Sequence, residues 1–218
     1  MKSILLVLGS PRGSASYSTQ IGRRIVDDLK AQHPSATVVV RNLGKEPLPH
    51  VGEPFVDGRM LAAEKRNARE TQAIAISDVL VDELMAADVL VLATPMHNFG
   101  IPAAVKAWID HIVRPGVTFS YSESGPEGLV RNKKVILALA SGSMYSEGPM
   151  KAFDFQEPYL RTVLGFIGMT DVEVVRIEGV GLGEDAARNA VTSAKARADD
   201  VVRRLVDSAS VQPLAEAA

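Results

Sequence analysis

The segment Thr94–Pro102 carries residue types suited to holding a flat ligand with polar edges. It follows an apolar run at Val89–Ala93 that is typical of a buried parallel strand, and a helical pattern comes after it. Ligands of α/β proteins bind at such strand-to-helix loops, at the carboxyl edge of the sheet. Met96 and Phe99 offer apolar contact there, and the amide of Asn98 both donates and accepts. An ordinary connecting loop is the alternative.

The loop after the first apolar run has the composition of an anion-binding site. Residues Gly9–Thr19 lead from that run into a helix and include the hydroxyls of Ser10, Ser16 and Ser18. With the backbone N–H groups near Tyr17 and the helix dipole, these hydroxyls would hold a phosphate monoester. The loop has neither the Gly-Lys-Ser/Thr ending of triphosphate sites nor a G-x-G-x-x-G motif, which favours a mononucleotide such as FMN. A capped helix behind a flexible serine-rich loop is the alternative.

A third loop, Ala140–Tyr145, follows another apolar run at Val135–Ala140. Gly142 allows the backbone to approach a ligand closely, because it carries no Cβ. Ser141 and Ser143 offer hydrogen bonds to the edge of a ring. This loop indicates a binding site mainly through its position, because we expect it to lie beside the loop Thr94–Pro102.

Composition and charge exclude several classes of chemistry. The chain of 218 residues has no cysteine, so disulfides and thiolate chemistry are impossible, and its four histidines show no metal-ligand spacing. We expect no bound metal, and redox chemistry would need a cofactor. A formal net charge of -2 gives no reason to expect nucleic acid or a membrane as partner. No apolar segment approaches the ~20 residues of a membrane span, so a cytoplasmic protein is expected.

The alternation of apolar and amphipathic segments predicts an α/β fold with a doubly wound parallel sheet. The predicted strands, in chain order, are Ile4–Leu8, Thr37–Arg41, Val89–Ala93, Val135–Ala140 and Val172–Ile177. The expected strand order is the flavodoxin-like 2-1-3-4-5, whose switch point lies between strands 1 and 3. We expect a single domain over residues 1–207 and a flexible tail over residues 208–218.

The remaining elements follow from periodicity and from turn residues. The predicted helices are Ser18–Gln32, one long or broken helix within Gly58–Ala87, Ala103–Ile112, Pro158–Ile167 and Glu184–Val206. The alternating aromatic segment Val117–Tyr121 predicts a hairpin arm, and Gly125–Gly128 predicts a turn. The glycines of Gly179–Gly183 are interpreted as a turn between the last strand and the last helix.

These motifs together resemble the FMN-dependent NADH azoreductases, a flavodoxin-like family related to the quinone reductases. The resemblance extends over most of the chain and is carried by Ser10, Ser16–Ser18, Thr94–Pro102, Gly116–Tyr121, Gly125–Leu129, Lys133-Lys134 and Leu164–Gly168. It implies that the FMN phosphate is held at Ser10 and at the triplet Ser16–Ser18. The full set expected to bind FMN is Ser10, Ser16, Tyr17, Ser18, Met96, His97, Asn98, Phe99, Ser141, Gly142 and Ser143.

The resemblance also implies an activity and an assembly. NADH or NADPH would reduce the bound FMN by hydride transfer, and quinones or azo compounds would then take the electrons in a ping-pong cycle. A homodimer is implied, with the FMN site near the interface and the arm of Phe119 and Tyr121 reaching the site of the other subunit. We expect backbone N–H groups of residues 96–99 and 141–143 to stabilise the charge that appears on reduction.

The chain departs from the family pattern at several positions. Where relatives often carry Ser-Arg-Gly-Gly, Ser141 replaces the arginine and Ser143 the last glycine. Tyr145 stands where some relatives have histidine, and His97 where relatives often have tyrosine. His97, Tyr121 and Tyr145 are the candidate proton donors, although water could also protonate the products, so no catalytic residue is assigned.

Other functions stay open on the sequence alone. A flavodoxin-like electron carrier is one, although such carriers tend to be shorter and strongly acidic. A general NAD(P)H:FMN reductase and a nucleotide-binding regulator without a redox role are the others. No acidic residue or arginine occupies a recognisable ribose-binding position, so the choice between NADH and NADPH is left open.

Overall fold

The computed structural model describes residues 1–210 of the chain, and its core is a five-stranded parallel sheet. In order along the chain the strands are β1 (Ser3–Leu8), β2 (Thr37–Asn42), β3 (Val89–Pro95), β4 (Phe119–Ser122), β5 (Gly125–Gly128), β6 (Lys134–Ser141) and β7 (Asp171–Glu178). The sheet has the order β2-β1-β3-β6-β7, so the predicted order 2-1-3-4-5 is confirmed with β6 and β7 as the fourth and fifth strands.

Six α-helices occur within the described residues. They are α1 (Tyr17–Gln32), α2 (Glu53–Gly58), α3 (Ala68–Ala86), α4 (Ala103–Ile112), α5 (Gln156–Phe166) and α6 (Glu184–Ser210). One apolar cluster joins α1 and α6 to one face, and the other joins α3, α4 and α5 to the opposite face. Because helices bury both faces, the central strands β1, β3 and β6 are apolar along nearly their whole length.

The predicted long helix within Gly58–Ala87 is broken. Its α-helical part, α3, starts only at Ala68, because Asn67 is the N-cap residue and forms a reciprocal capping box with Glu70. The Asn67 side chain accepts hydrogen bonds from the N–H groups of Arg69 at 2.9 Å and Glu70 at 3.1 Å. In return the N–H of Asn67 donates to the Glu70 carboxylate at 2.8 Å.

The aromatic arm is a two-stranded antiparallel hairpin formed by β4 and β5. The interpretation of Gly125–Gly128 as a turn is therefore wrong, since these residues form β5. The physical reason is packing, because a Cβ on Gly128 would lie 2.1 Å from the backbone nitrogen of Gly168. Because Gly128 has no side chain, β5 can lie directly on the end of α5, whereas a sequence rich in Gly and Pro favours a turn.

The last helix extends beyond its predicted end. The backbone of α6 continues to Ser210, and the rest of the predicted tail, residues 211–218, lies outside the described residues. Over residues 1–210, no helix is both long enough and apolar enough to pass through a bilayer.

Candidate functional site

Three loops meet at the carboxyl edge of the sheet and enclose a cleft of about 190 Å³. They follow β1, β3 and β6, which are neighbours in the sheet, so their ends emerge side by side. The cleft is lined by Ser10, Arg12, Ser16, Tyr17, Pro95, Met96, His97, Ala140, Ser141, Gly142 and Val180. The convergence that the sequence predicts for the three loops is thus present in the fold.

One end of the cleft has the features of an anion site. Ser10, Ser16 and Ser18 are all buried, and the hydroxyl oxygens of Ser16 and Ser18 lie 3.0 Å apart. The N–H of Arg12 donates to the Ser10 hydroxyl at 3.3 Å, which holds the start of the loop. Ser16 is the N-cap residue of α1, yet its side chain makes no capping hydrogen bond. The N–H groups of the first turn are therefore available to a ligand.

A strained two-residue turn lies at the second loop. The N–H of His97 donates to the carbonyl of Gly100 at 2.9 Å, and the N–H of Gly100 donates back at 3.0 Å. Asn98 and Phe99 between them have positive φ angles of 48° and 70°. Such a pair is required by a type I′ turn, and a phenylalanine in this region is unusual and costs roughly 1–3 kcal/mol. The predicted loop is thus a rigid, strained turn.

The strained turn is supported by contacts from the segment before α5. The N–H of Phe155 donates to the Phe99 carbonyl at 3.0 Å. The Phe99 ring lies 5.7 Å from the ring of Phe153 and 6.3 Å from that of Tyr145. Phe99, Phe153 and Phe155 are all partly exposed, so they form an aromatic surface next to His97. Our sequence interpretation missed Phe153 and Phe155, although their aromatic type just before a helix was a usable signal.

The third loop leaves its glycine facing open space. A Cβ built on Gly142 would meet no atom within 4 Å, so the protein's own packing leaves this side free for a ligand. The Ser141 hydroxyl donates to the Ser143 carbonyl at 2.8 Å, which fixes the curvature of the loop. The glycine segment after β7 supports it, since the N–H of Gly181 donates to the Gly142 carbonyl at 2.9 Å.

That glycine segment, Gly179–Gly183, is a turn as predicted, and it also contributes to the cleft. The N–H of Val180 donates to the Ser141 carbonyl at 3.2 Å, and the side of Val180 lines the cleft. Our sequence interpretation assigned neither this residue nor Arg12, Pro95 and Ala140 to the binding set, and it expected Arg12 to be exposed, which it is. The ends of the predicted strands were the signal that could have found Pro95 and Ala140.

The predicted binding residues divide into two groups. Seven of them line the cleft: Ser10, Ser16, Tyr17, Met96, His97, Ser141 and Gly142. The other four adjoin it in the same loops: Ser18, Asn98, Phe99 and Ser143. Among the candidate proton donors, His97 lines the cleft and Tyr145 is buried against Phe99, whereas Tyr121 is 75% exposed on the arm.

Backbone donors in the second loop are partly used by the fold. The N–H of Met96 donates to the Ala140 carbonyl at 2.7 Å, and that of His97 to Gly100. Of the N–H groups of residues 96–99 that are expected to stabilise charge on a ligand, those of Met96 and His97 are thus already bonded within the fold. The hydrogen bond from Met96 to Ala140 joins the ends of β3 and β6 and so fixes the relative position of the second and third loops.

Known proteins share this architecture over nearly the whole chain. The family model Flavodoxin_2, described as a flavodoxin-like fold, matches residues 2–202. A protein of Mesorhizobium japonicum named FMN-dependent NADH:quinone oxidoreductase is 52% identical over 200 residues, which cover 92% of this chain and 95% of that protein.

Solved structures give the same result. An azoreductase from Bacillus anthracis str. Sterne has a TM-score of 0.87 and 33% identity, covering 94% of this chain and 100% of its own. An FMN-dependent NADH-azoreductase from Bacillus anthracis str. Ames Ancestor, in complex with FMN, shares the fold with a TM-score of 0.85, 22% identity and coverage of 94% and 100%. The chain therefore belongs to the flavodoxin-like family that contains the FMN-dependent NADH:quinone oxidoreductases and the azoreductases.

Proposed function

We propose that this protein is an FMN-dependent NADH oxidoreductase that reduces quinones and azo compounds. The observation that carries the proposal is the cleft itself, which has an uncapped helix N-terminus with buried hydroxyls at one end and an open glycine loop at the other. Relatives named for this activity support it. Bound FMN would accept a hydride from the nicotinamide and pass two electrons to the acceptor, in a ping-pong sequence.

The residues at the anion end fit the phosphate of FMN. Ser10, Ser16 and Ser18 are buried hydroxyls whose partners within the protein leave hydrogen-bonding capacity free. The N–H groups at Tyr17 and the following residues point along the axis of α1 towards the cleft, where the helix dipole favours negative charge. We assign these four residues to the phosphate.

The residues at the other end fit the flavin ring. We assign its apolar contacts to Met96 and Phe99, and its polar edge to the loop of Ser141–Ser143. Because Met96 and His97 donate within the fold, the N–H groups left for stabilising charge on the ring are those of Asn98, Phe99, Gly142 and Ser143. The side chain of Asn98 adds a donor and an acceptor.

His97 is the best placed of the three candidate proton donors, because it alone among them lines the cleft. Tyr145 is buried against Phe99, which suits a packing role in the aromatic surface. Tyr121 lies on the exposed arm and could serve only a site on another subunit. Water remains a sufficient proton source, so loss of His97 should alter acceptor binding more than turnover.

We also propose a homodimer in which the arm of β4 and β5 reaches the partner. The arm is anchored by the buried ring of Phe119, which lies 4.6 Å from Phe166. Its outer residue, Tyr121, presents an aromatic ring to solvent. An exposed aromatic on a fixed hairpin is typical of a contact between subunits.

Two measurements on the purified protein test the proposal. The visible spectrum, recorded with and without added FMN, should show bound flavin, and NADH should be consumed with a quinone and with an azo dye in the absence of any partner protein. A colourless protein that fails to bind FMN would refute the proposal. Bound FMN without NADH oxidation would identify an electron carrier instead, and parallel double-reciprocal plots would support the ping-pong sequence.

A further inference from the structure

Arg176, near the end of β7, is surrounded by three carboxylates. Its guanidinium contacts Asp154 at 3.0 Å and Glu178 at 3.3 Å, and it also pairs with Glu157. Arg176 and Glu178 are two residues apart on a strand, so their side chains lie on the same face. Asp154 and Glu178 are buried, with side-chain exposures of only 6% and 7%, so neither charge can be left to solvent.

Two of these carboxylates hold the backbone of loops at the cleft. One oxygen of Glu178 accepts the N–H of Tyr145 at 2.7 Å and that of Ser146 at 2.9 Å. Tyr145 is the last residue of the third loop, Ala140–Tyr145, and Ser146 follows it. The Glu178 carboxylate therefore fixes the end of the loop that we assign to the polar edge of the flavin.

Asp154 fixes a second loop through α5. Oδ2 of Asp154 contacts Arg176, and Oδ1 accepts hydrogen bonds from the N–H groups of Gln156 at 3.0 Å and Glu157 at 3.2 Å, which caps the helix. The side-chain amide of Gln156, held in this way, donates to the carbonyl of Pro95 at 2.8 Å. Pro95 lines the cleft at the end of β3, one residue before Met96.

Arg176 is the cation that the buried carboxylates of Asp154 and Glu178 share. Burial disfavours the charge of Arg176, but its hydrogen bond to Asp154 and the neighbouring Glu157 and Glu178 carboxylates outweigh burial and raise its pKa. Without the guanidinium, Asp154 and Glu178 would be buried anions close together, while Glu157 would keep its exposed partner Arg161 at 2.7 Å. Each carboxylate would then lose its fixed position and with it the loop that it holds.

We infer that Arg176 is a positioning residue, which clamps the two loops at the ring end of the cleft through Asp154 and Glu178. This role rests on the proposed FMN site, and it concerns only the ring end. The phosphate end belongs to the loop before α1, whose serine hydroxyls bond within that loop and the first turn of α1. Loss of Arg176 should therefore weaken flavin binding irrespective of the phosphate.

The test compares Arg176→Met with a matched control, Arg197→Met, in the purified full-length protein. Arg197 also bridges two carboxylates, Glu173 and Asp200, each at 2.7 Å, but at the opposite end of β7. In Arg176→Met, the affinities for FMN and for riboflavin should both fall by about tenfold, because the loops must be ordered anew when the ring binds. Their ratio should stay constant, and Arg197→Met should bind both ligands as the wild type does.

Amide hydrogen exchange gives a second measurement that does not depend on flavin. The N–H groups of Tyr145, Ser146 and Gln156 should exchange about tenfold faster in Arg176→Met and at wild-type rates in Arg197→Met. Arg176→Lys should give intermediate flavin affinities and exchange rates, since an ammonium lacks the planar fork that spans the carboxylates. This variant replaces Arg176→Met in both measurements if Arg176→Met does not fold.

The outcomes separate the two claims. A wild-type protein that binds no flavin would refute the proposed function, whereas the exchange rates would still decide the role of Arg176. Equal exchange rates in Arg176→Met and Arg197→Met would overturn the inference, as would wild-type flavin affinity in Arg176→Lys. A fall in FMN affinity alone, with riboflavin unaffected, would also overturn it.

Discussion

The hydroxyl oxygens of Ser16 and Ser18 lie 3.0 Å apart, and both are buried at the start of α1. Each side chain therefore uses part of its hydrogen-bonding capacity on the other and keeps the rest for the cleft. Neither hydroxyl caps the helix, and this leaves the N-terminus of α1 open. The pair is thus preorganised for an anion, which makes it the first target for mutation.

The double variant Ser16→Ala/Ser18→Ala should bind FMN about ten- to a hundredfold more weakly, because two hydrogen bonds to a charged group are lost. Riboflavin, which has no phosphate, should bind as it does to the wild type. Fluorescence titration with both ligands measures the difference. Ser14→Ala is the control, since Ser14 lies in the same loop and its side chain is exposed. Equal losses for FMN and riboflavin would contradict the assignment.

The left-handed backbone of Phe99 predicts an unusual order of stabilities. Both Phe99→Gly and Phe99→Ala remove the ring, but only glycine adopts a φ of 70° without strain. The glycine variant should be more stable than the alanine variant by about 1 kcal/mol, the reverse of the usual order. Urea unfolding of the two variants gives this difference directly. An alanine variant of equal or greater stability would argue against the strained turn.

Gly142→Ala should separate ligand binding from folding. The added methyl group meets no protein atom within 4 Å, so the free energy of unfolding without ligand should change by less than about 0.5 kcal/mol. The methyl group would extend into the cleft, and the affinities for FMN and riboflavin should both fall by about tenfold or more. Gly165→Ala is the control, because its methyl group also meets open space but lies on α5. Unchanged flavin affinity in Gly142→Ala would exclude this loop from the site.

Asp88 should make stability depend on pH in the acid range. Burial alone would raise its pKa, but hydrogen bonds from the N–H groups of Lys2 and Ser3 outweigh burial and lower it. A lowered pKa in the folded protein stabilises the fold at pH values above the unfolded pKa of about 3.9, and the benefit is lost as the pH falls through the folded pKa. Asp88→Asn should cost about 1 kcal/mol near pH 7.

The pH dependence of that cost is the test. Urea unfolding of wild type and Asp88→Asn should give curves whose difference shrinks as the pH is lowered from about 5 to about 3. Lys2 and Ser3 lie at the amino edge of the sheet, away from the cleft, so flavin affinity should not change. A difference in stability that is constant with pH would contradict the role of the Asp88 charge.

Continuous apolar runs located the strands that build the site. The central strands are continuous apolar runs because helices cover both of their faces, and such runs are visible in a sequence. The break before α3 was also encoded, in the spacing of Asn67 and Glu70, although the interpretation left it undecided. At Gly125–Gly128 local composition misled, since the strand depends on a contact with Gly168 that lies far along the chain.

That three polar loops follow three buried strands could be predicted from residue types alone, because each loop is local and the order of parallel strands brings their ends together. How those loops are held became visible only in the folded chain. The left-handed turn at Phe99 is supported by Phe155, and Arg176 pairs with Asp154, and in both cases the partner is distant in the chain. Such residues come within contact distance only after folding, so no local sequence pattern reveals their interactions.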